Sequence, residues 1–378
     1  AIPFHDAARI GTEKVISQHS TIGIVVTTDG SFGEIPRENF IPAEEQTVKE
    51  LKAQGKDVID LSLGEPDFDT PVHIKEAAKK ALDDGYTKYT PVNGLLELRQ
   101  AIVNKLAREN DLHYTVNQIV VSNGAKQSVY NLCMALLDPG DEVILPAPYW
   151  VSYAEIVKMA GGVPVIANSS IEQDFKSTPE EIEALITDRT KFILYSSPCN
   201  PSGSVFSFEE LQALALMLQA HEHVLVVSDE IYEHINFTDR HYTIASIEGM
   251  KDRTVIINGM SKGYAMTGWR LGYIAGPDWI ADACTKIQGQ VTSGASSFGQ
   301  KAAAVALESD HTPTKEMVKA FHQRRDLIIN LLEQIPLLLV NRPQGAFYIF
   351  PDVSAYFGRT STGGYHVKDA DDMSLYLL

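Results

Sequence analysis

The chain has 378 residues, 44% of them hydrophobic, and a net charge of −17. That length exceeds one ordinary domain, the apolar fraction supports a sizeable core, and the acidic balance argues against nucleic acid or an anionic membrane surface as the main partner. Cys133, Cys199 and Cys284 stand singly, with no C-x-x-C pair for a zinc ribbon or a disulfide framework. No apolar run long enough for a membrane span and no basic-then-apolar leader occurs, so the expectation is a soluble cytoplasmic protein without a metal site.

In chain order, "HSTIGIVVTTDGSFGEI" (19–35) reads as a strand closed by a turn, with no evident partner. From about residue 115 short apolar runs alternate with amphipathic segments. The runs are 118–123, 141–146, 162–168, 191–196, 223–229, 254–259 and 271–276, with helix patterns at 125–137 and 207–221 between them. Several runs are almost wholly apolar and β-branched, as in strands buried on both faces of a mainly parallel sheet. The alternation predicts an α/β layered fold. Beyond it, 312–335 predicts one long amphipathic helix, 344–353 an aromatic strand and 369–378 a capped helix start.

Polar groups follow these runs: Asn123-Gly124-Ala125-Lys126, Pro148-Tyr149-Trp150, Asn200-Pro201, Asp229 and Ser261-Lys262. In open α/β sheets ligands lie beyond the carboxyl ends of the strands, so these groups are expected on one rim. A lysine after the buried run "TVIING" is either a surface residue that snorkels or a desolvated amine able to attack an aldehyde. Asp229 either caps a helix over "EIYEHI" or holds a ring N–H⁺. "SNGAKQS" offers backbone N–H groups at a helix start for an anion, and Arg270 and Ser261 add donors. Trp150 and Tyr149 present flat faces, and Asn200 and Tyr232 can donate to a ring oxygen. Each has a bland reading as turn, cap or core; their joint order along successive strand ends does not.

"SLGEPDFDTP", "KYTPVNG", "NGAKQ", "PYWVSY", "SPCNPSG", "VVSDEIYEHI" and "SKGYAMTGWRLGY" together resemble the class I pyridoxal-phosphate aminotransferases of fold type I, in the bacterial aspartate aminotransferase group, over about residues 46–378. The resemblance implies a mainly parallel seven-stranded sheet sandwiched by helices, with a smaller, here incomplete, α/β domain. It places a large cofactor-binding domain at 72–276, the small domain at 46–71 and 277–378, and an atypical segment at 1–45. The implied cofactor is pyridoxal 5′-phosphate, and the implied reaction is transamination between an aspartate- or glutamate-type amino acid and a 2-oxo acid. Lys262 would be the Schiff-base lysine and proton shuttle, and Asp229 would hold the ring nitrogen. Tyr232 and Asn200 would bind the phenolic oxygen, and Trp150 would stack on the ring. Gly124, Ala125, Lys126, Ser261 and Arg270 would hold the phosphate, joined by Tyr89 from the second subunit of a homodimer. Gly64, with Trp150 and Asn200, would line the substrate side.

Two departures accompany the resemblance. The family's C-terminal arginine strand, which pairs with the substrate carboxylate, has no match before Leu378, and neither Arg342 nor Arg359 fits its motif. An impaired, cofactor-binding protein or another reaction on the same scaffold, such as β-elimination, is therefore the alternative expectation. Residues 2–56 instead resemble a piece of the sporulation stage IV protein A ATPase, without its G-x-x-x-x-G-K-[ST] loop. A chimera joined near residues 44–56 is the corresponding expectation.

Overall fold

The computed structural model describes residues 23–24, 50, 53–55 and 64–377. A two-residue strand, β1 (Gly23–Ile24), is followed by α1 (Val72–Asp83) and α2 (Leu96–Asn110). The sheet strands and their crossover helices come next. They are β2 (Ile119–Ser122), α3 (Ala125–Leu136), β3 (Glu142–Pro146), α4 (Ser152–Met159), β4 (Val163–Ala167), α5 (Pro179–Glu183), β5 (Thr190–Ser196), α6 (Phe208–Leu218), β6 (Leu225–Asp229), β7 (Thr254–Gly259) and β8 (Gly272–Ala275). The chain continues with α7 (Asp278–Val291), α8 (Ser297–Glu308), α9 (Thr312–Leu332), β9 (Tyr348–Ile349), β10 (Arg359–Thr360), β11 (His366–Val367) and α10 (Ala370–Leu377).

All seven apolar runs are strands of one sheet, ordered β2-β8-β7-β6-β5-β3-β4. Strand β8 is antiparallel to both β2 and β7, and the remaining neighbours are parallel, so β2 to β7 all point the same way. Alternate residues feed opposite faces. Val143, Leu145, Phe192, Val227, Ile257 and Ile274 pack on α3, α4 and α7. Ile144, Ile193 and Val226 pack on α6, while Val121, Ile256 and Tyr273 pack on α1, α2 and α8. Burial on both faces is why the strands read as unbroken apolar runs rather than alternating ones.

Strand direction builds the rim. The carboxyl ends of β2, β6 and β7 share one edge, and Gly272, which opens the reversed β8, pairs with both Ser122 and Gly259. Arg270 therefore arrives on the same rim as Gly124 and Lys262. Gly272 must lack a side chain, because a β-carbon there would lie 2.3 Å from the Ala125 amide nitrogen.

Three expectations change in detail. Residues 344–353 do not form one strand; only β9 does. Ala346 has φ 57, and a β-carbon on Gly345 would lie 2.9 Å from the Ile235 carbonyl oxygen, so the segment bends into the body before β9. The long helix α9 stops at Leu332 rather than 335, since Pro336 disfavours helical backbone just before it. Gly23–Ile24 of the 19–35 run does have a partner, pairing in parallel with Tyr348–Ile349; the rest of that run lies outside the described residues.

A buried ion pair fixes the turn after β6. Lys105 of α2 is fully buried and pairs with Glu233, while Asn110 bridges them, accepting from Lys105 Nζ at 2.8 Å and donating to Glu233 at 3.1 Å. Burial by itself would raise the Glu233 pKa; Lys105, His234 and His241 outweigh it and bring the carboxyl well below the usual range. The pair's contribution is thus complete above the unfolded carboxyl pKa of about 4.3 and fades as pH falls through the folded value. Lys105→Met removes the largest counter-charge from the buried Glu233 and is expected to destabilise the fold by about 3–5 kcal/mol at neutral pH. Urea unfolding of both proteins checks this, with the gap between them narrowing as pH drops below about 4.

Candidate active site

Lys262 lies just beyond β7. Its ammonium contacts the Gly64 carbonyl and sits 5.6 Å from the ring centroids of both Tyr232 and Phe347. Burial pulls its pKa down to about 8; Arg270 pushes the same way, while Glu65 and Asp229 oppose. The amine is therefore far closer to its neutral, nucleophilic form at physiological pH than an exposed lysine.

Asp229 ends β6 at 3% exposure. No helix follows it, but Ile231 N–H donates to Oδ1 at 3.2 Å, so it closes a turn. Its Oδ2 accepts from the Tyr153 hydroxyl at 2.6 Å. Burial raises its pKa to about 6 against the lowering effect of Tyr153 and the Ile231 amide. A cation or ring N–H⁺ beside it would restore the charged form. Tyr153, on the first turn of α4, is a site residue that the sequence reading left without a role. Its signal was a hydroxyl-bearing aromatic one turn after Trp150.

The anion cradle is assembled at the start of α3. Ala125 and Lys126 open the helix, where backbone N–H groups have no intrahelical acceptor. Gly124 has φ 84, and a β-carbon on it would lie 2.5 Å from Arg270 Nη2. Arg270 itself has φ 53, in the left-handed region, and donates to the Thr267 carbonyl at 2.7 Å. Burial and the neighbouring Arg270 both lower the Lys126 pKa. Two neighbouring cations beside a helix N-terminus make a phosphate-type site. Ser261 is buried beside Lys262.

Trp150 packs edge-on against Tyr153 at 5.5 Å, with Lys126 Nζ 4.7 Å from its ring centroid. Asn200 Nδ2 lies 3.4 Å from the Tyr348 hydroxyl, which is 2.5 Å from the Tyr232 hydroxyl. Tyr89 is 96% exposed. Arg342 is tied to Asp326 at 2.6 Å, and Arg359 is exposed on β10. Among the described residues, Glu109 with His234 and His311, and Glu230 with Glu233 and His241, bring possible metal ligands together. Their carboxylates are already engaged: Glu109 by Arg108, Lys105 and His234, and Glu230 by Ser228, Thr243 and His241.

The residues present fit pyridoxal phosphate. Gly272 and Gly124 let β8 and Arg270 close on the start of α3, Lys126 and Arg270 put two cations there, the buried Asp229 accepts only from Tyr153 and a backbone amide, and a depressed lysine lies on the same rim. A mainly parallel sheet carrying this rim defines a fold type I pyridoxal-phosphate enzyme. The description of class I and II aminotransferases matches residues 56–376, and the chain belongs to that family. It is a pyridoxal-phosphate-dependent aminotransferase, of the kind that includes the aspartate aminotransferases.

The chain is similar to the aspartate/prephenate aminotransferase of Cereibacter sphaeroides, 48% identical over 87% of this chain and 83% of that one. It is 42% identical to the bifunctional aspartate aminotransferase and glutamate/aspartate-prephenate aminotransferase of Petunia hybrida, over 98% of this chain and 78% of that one. The crystal structure of the Rhizobium meliloti aspartate aminotransferase superimposes with a TM-score of 0.87, at 42% identity, covering 92% of this chain and 89% of that one. The Thermus thermophilus aspartate aminotransferase with maleate gives 0.80 at 42% identity, covering 83% and 82%. The stage IV sporulation protein A ATPase domain matches residues 1–109, overlapping the aminotransferase match from residue 56. The Petunia relative aligns across almost all of this chain, and nothing supports a chimera.

The depressed lysine can be tested directly. Cyanate reacts with neutral amines, so carbamylation of Lys262 in cofactor-free protein, followed by mass spectrometry, is expected to inflect near pH 8. Exposed lysines should inflect near about 10.4.

Proposed function

We propose that this chain transfers the amino group of a dicarboxylic amino acid, aspartate or glutamate, to a 2-oxo acid. The observation that carries the site roles is the meeting of Lys262, Asp229 and the Gly124–Arg270 cradle on one rim. Support for the dicarboxylic donor comes from relatives named for aspartate and glutamate, and from the Thermus structure holding maleate, a four-carbon dicarboxylate.

Bound pyridoxal phosphate supplies an electron sink for charge developing at the substrate Cα. The chain supplies the rest. Lys262 Nζ would hold the cofactor's aldehyde carbon, and its free amine would take and return the Cα proton. Asp229, oriented by Tyr153, would sit against the ring nitrogen and favour its protonated form. Ala125, Lys126, Ser261 and Arg270 would hold the phosphate, and Gly124 leaves room for Arg270 beside it. Tyr232 and Asn200 donate to the phenolic oxygen, Trp150 covers the ring, and Gly64 borders the substrate.

In this reading residues 72–276 form the larger domain, residues 46–71 with 277–378 form the smaller, and 1–45 precede both. A homodimer in which Tyr89 completes the partner's phosphate site is favoured by apolar side chains left open on adjoining segments. Tyr89 is 96%, Val291 53%, Tyr86 37% and Phe298 36% exposed, and Ser297 donates to the Tyr86 carbonyl at 2.6 Å. No described helix is long and apolar enough to cross a membrane, and the cytoplasm is the proposed location.

Adding aspartate without acceptor to the yellow holoenzyme is expected to convert its visible band to the amine form of the cofactor. Lys262→Ala should lose both the normal band and the conversion. Conversion by Lys262→Ala would overturn the assignment, and a normal wild-type band that aspartate leaves untouched would favour a protein that only holds the cofactor. Gly124→Ala is expected to weaken cofactor binding about tenfold or more, the worth of one charge-assisted hydrogen bond. Fluorescence titration of cofactor-free protein measures it.

A further inference from the structure

Tyr348 is 3% exposed and touches three residues of the site at once. Its hydroxyl lies 2.5 Å from that of Tyr232 and 3.4 Å from Asn200 Nδ2. A β-carbon on Gly64 would sit 2.4 Å from the same oxygen, so the absence of a side chain at Gly64 is what lets Tyr348 reach Tyr232. The backbone leading to it is clamped to the large sheet's loops. Gly345 N–H donates to the Gly203 carbonyl at 2.9 Å, Ala346 N–H to Ile235 at 2.7 Å, and Phe237 N–H to Gln344 at 2.8 Å. The ring packs against Tyr232 at 5.7 Å and Phe347 at 4.9 Å.

A phenol has one O–H to give, and an amide nitrogen has two N–H. Asn200 spends one N–H on the Tyr348 oxygen and keeps the other. Either hydroxyl can donate in the Tyr348–Tyr232 bond; when Tyr348 gives its proton to the Tyr232 oxygen, the Tyr232 O–H points away from Tyr348. In the opposite sense Tyr232 would turn lone pairs toward an anionic ligand oxygen and repel it.

We propose that Tyr348 is a positioning residue for transamination: it sets the direction of the chain Asn200 → Tyr348 → Tyr232, so that Asn200 and Tyr232 both aim a donor at one ligand oxygen. The inference rests on the cofactor reading given above. It assigns Tyr348 no contact with the substrate.

Tyr348→Phe keeps the ring and removes the hydroxyl. Titrating the visible band of the holoenzyme against pH, the apparent pKa of the chromophore is expected to rise by roughly half a unit to one unit, as an anionic oxygen loses an aligned donor. In a Tyr232→Phe background the same substitution should move it by less than about a third of that, because Tyr348 acts through Tyr232. The kcat should fall about threefold to tenfold with KM changed less than about twofold. Replacing Tyr348 with 3-fluorotyrosine, which keeps the hydroxyl as a stronger donor, should shift the pKa down, and this arm stands even where the phenylalanine variant folds poorly. Equal shifts in both backgrounds, or no shift with either replacement, would overturn the proposal. Loss of the normal band in Lys262→Ala alongside an unshifted Tyr348→Phe would sink this inference alone and leave the cofactor reading intact.

Discussion

Asp229 stands at the end of a strand that is apolar on both faces, where charge is disfavoured unless something answers it. Burial raises its pKa to about 6, with Tyr153 and one backbone amide opposing that rise only in part. The surrounding architecture follows from that burial. The strand must end at the rim so that the carboxyl faces a ligand rather than the core, and α4 must bring Tyr153 beneath it. The turn after it must be held still, which the Lys105–Glu233 pair accomplishes from the opposite face. Lys262 and Arg270, arriving from the next strand and from the reversed one, supply the positive side of the same field.

Most of the sheet was legible because double burial leaves an unambiguous trace. A strand covered by helices on both faces is written as an apolar run, and the seven runs correspond to seven strands within a residue or two of their ends, the half-exposed edge strand β4 among them. The reversal of β8 was not legible. Nothing in "LGYIAG" distinguishes an antiparallel strand from a parallel one, since both are equally buried. The reversal nonetheless brings Arg270 to the rim at the start of its strand rather than the end.

The site residues that were legible are those following strand ends, where chain order and spatial order coincide. The ones missed act from elsewhere. Tyr153 reaches Asp229 from inside a helix, and Tyr348 reaches Tyr232 from a segment that reads as an ordinary aromatic strand. What makes Tyr348 reach the site is backbone geometry, a left-handed Ala346 and a close approach at Gly345, and neither leaves a periodic signal. Asp229 illustrates the converse: as helix cap or as ring partner it fitted the sequence equally, and the absence of a helix over residues 230–235 removes the first of these.

The site draws on parts of the chain that are far apart in sequence. Lys262 meets Gly64 across 198 positions, and Asn200 meets Tyr348 across 148. Such contacts form late in folding, because long loops must close before they are rewarded. During synthesis the rim therefore cannot be whole until the segment around residue 348 has left the ribosome and docked. A ligand that binds only the finished rim stabilises the entire tertiary arrangement rather than one strand end. Resistance of the chain to proteolysis and its capacity to hold cofactor should thus appear together, as a single property of the completed fold.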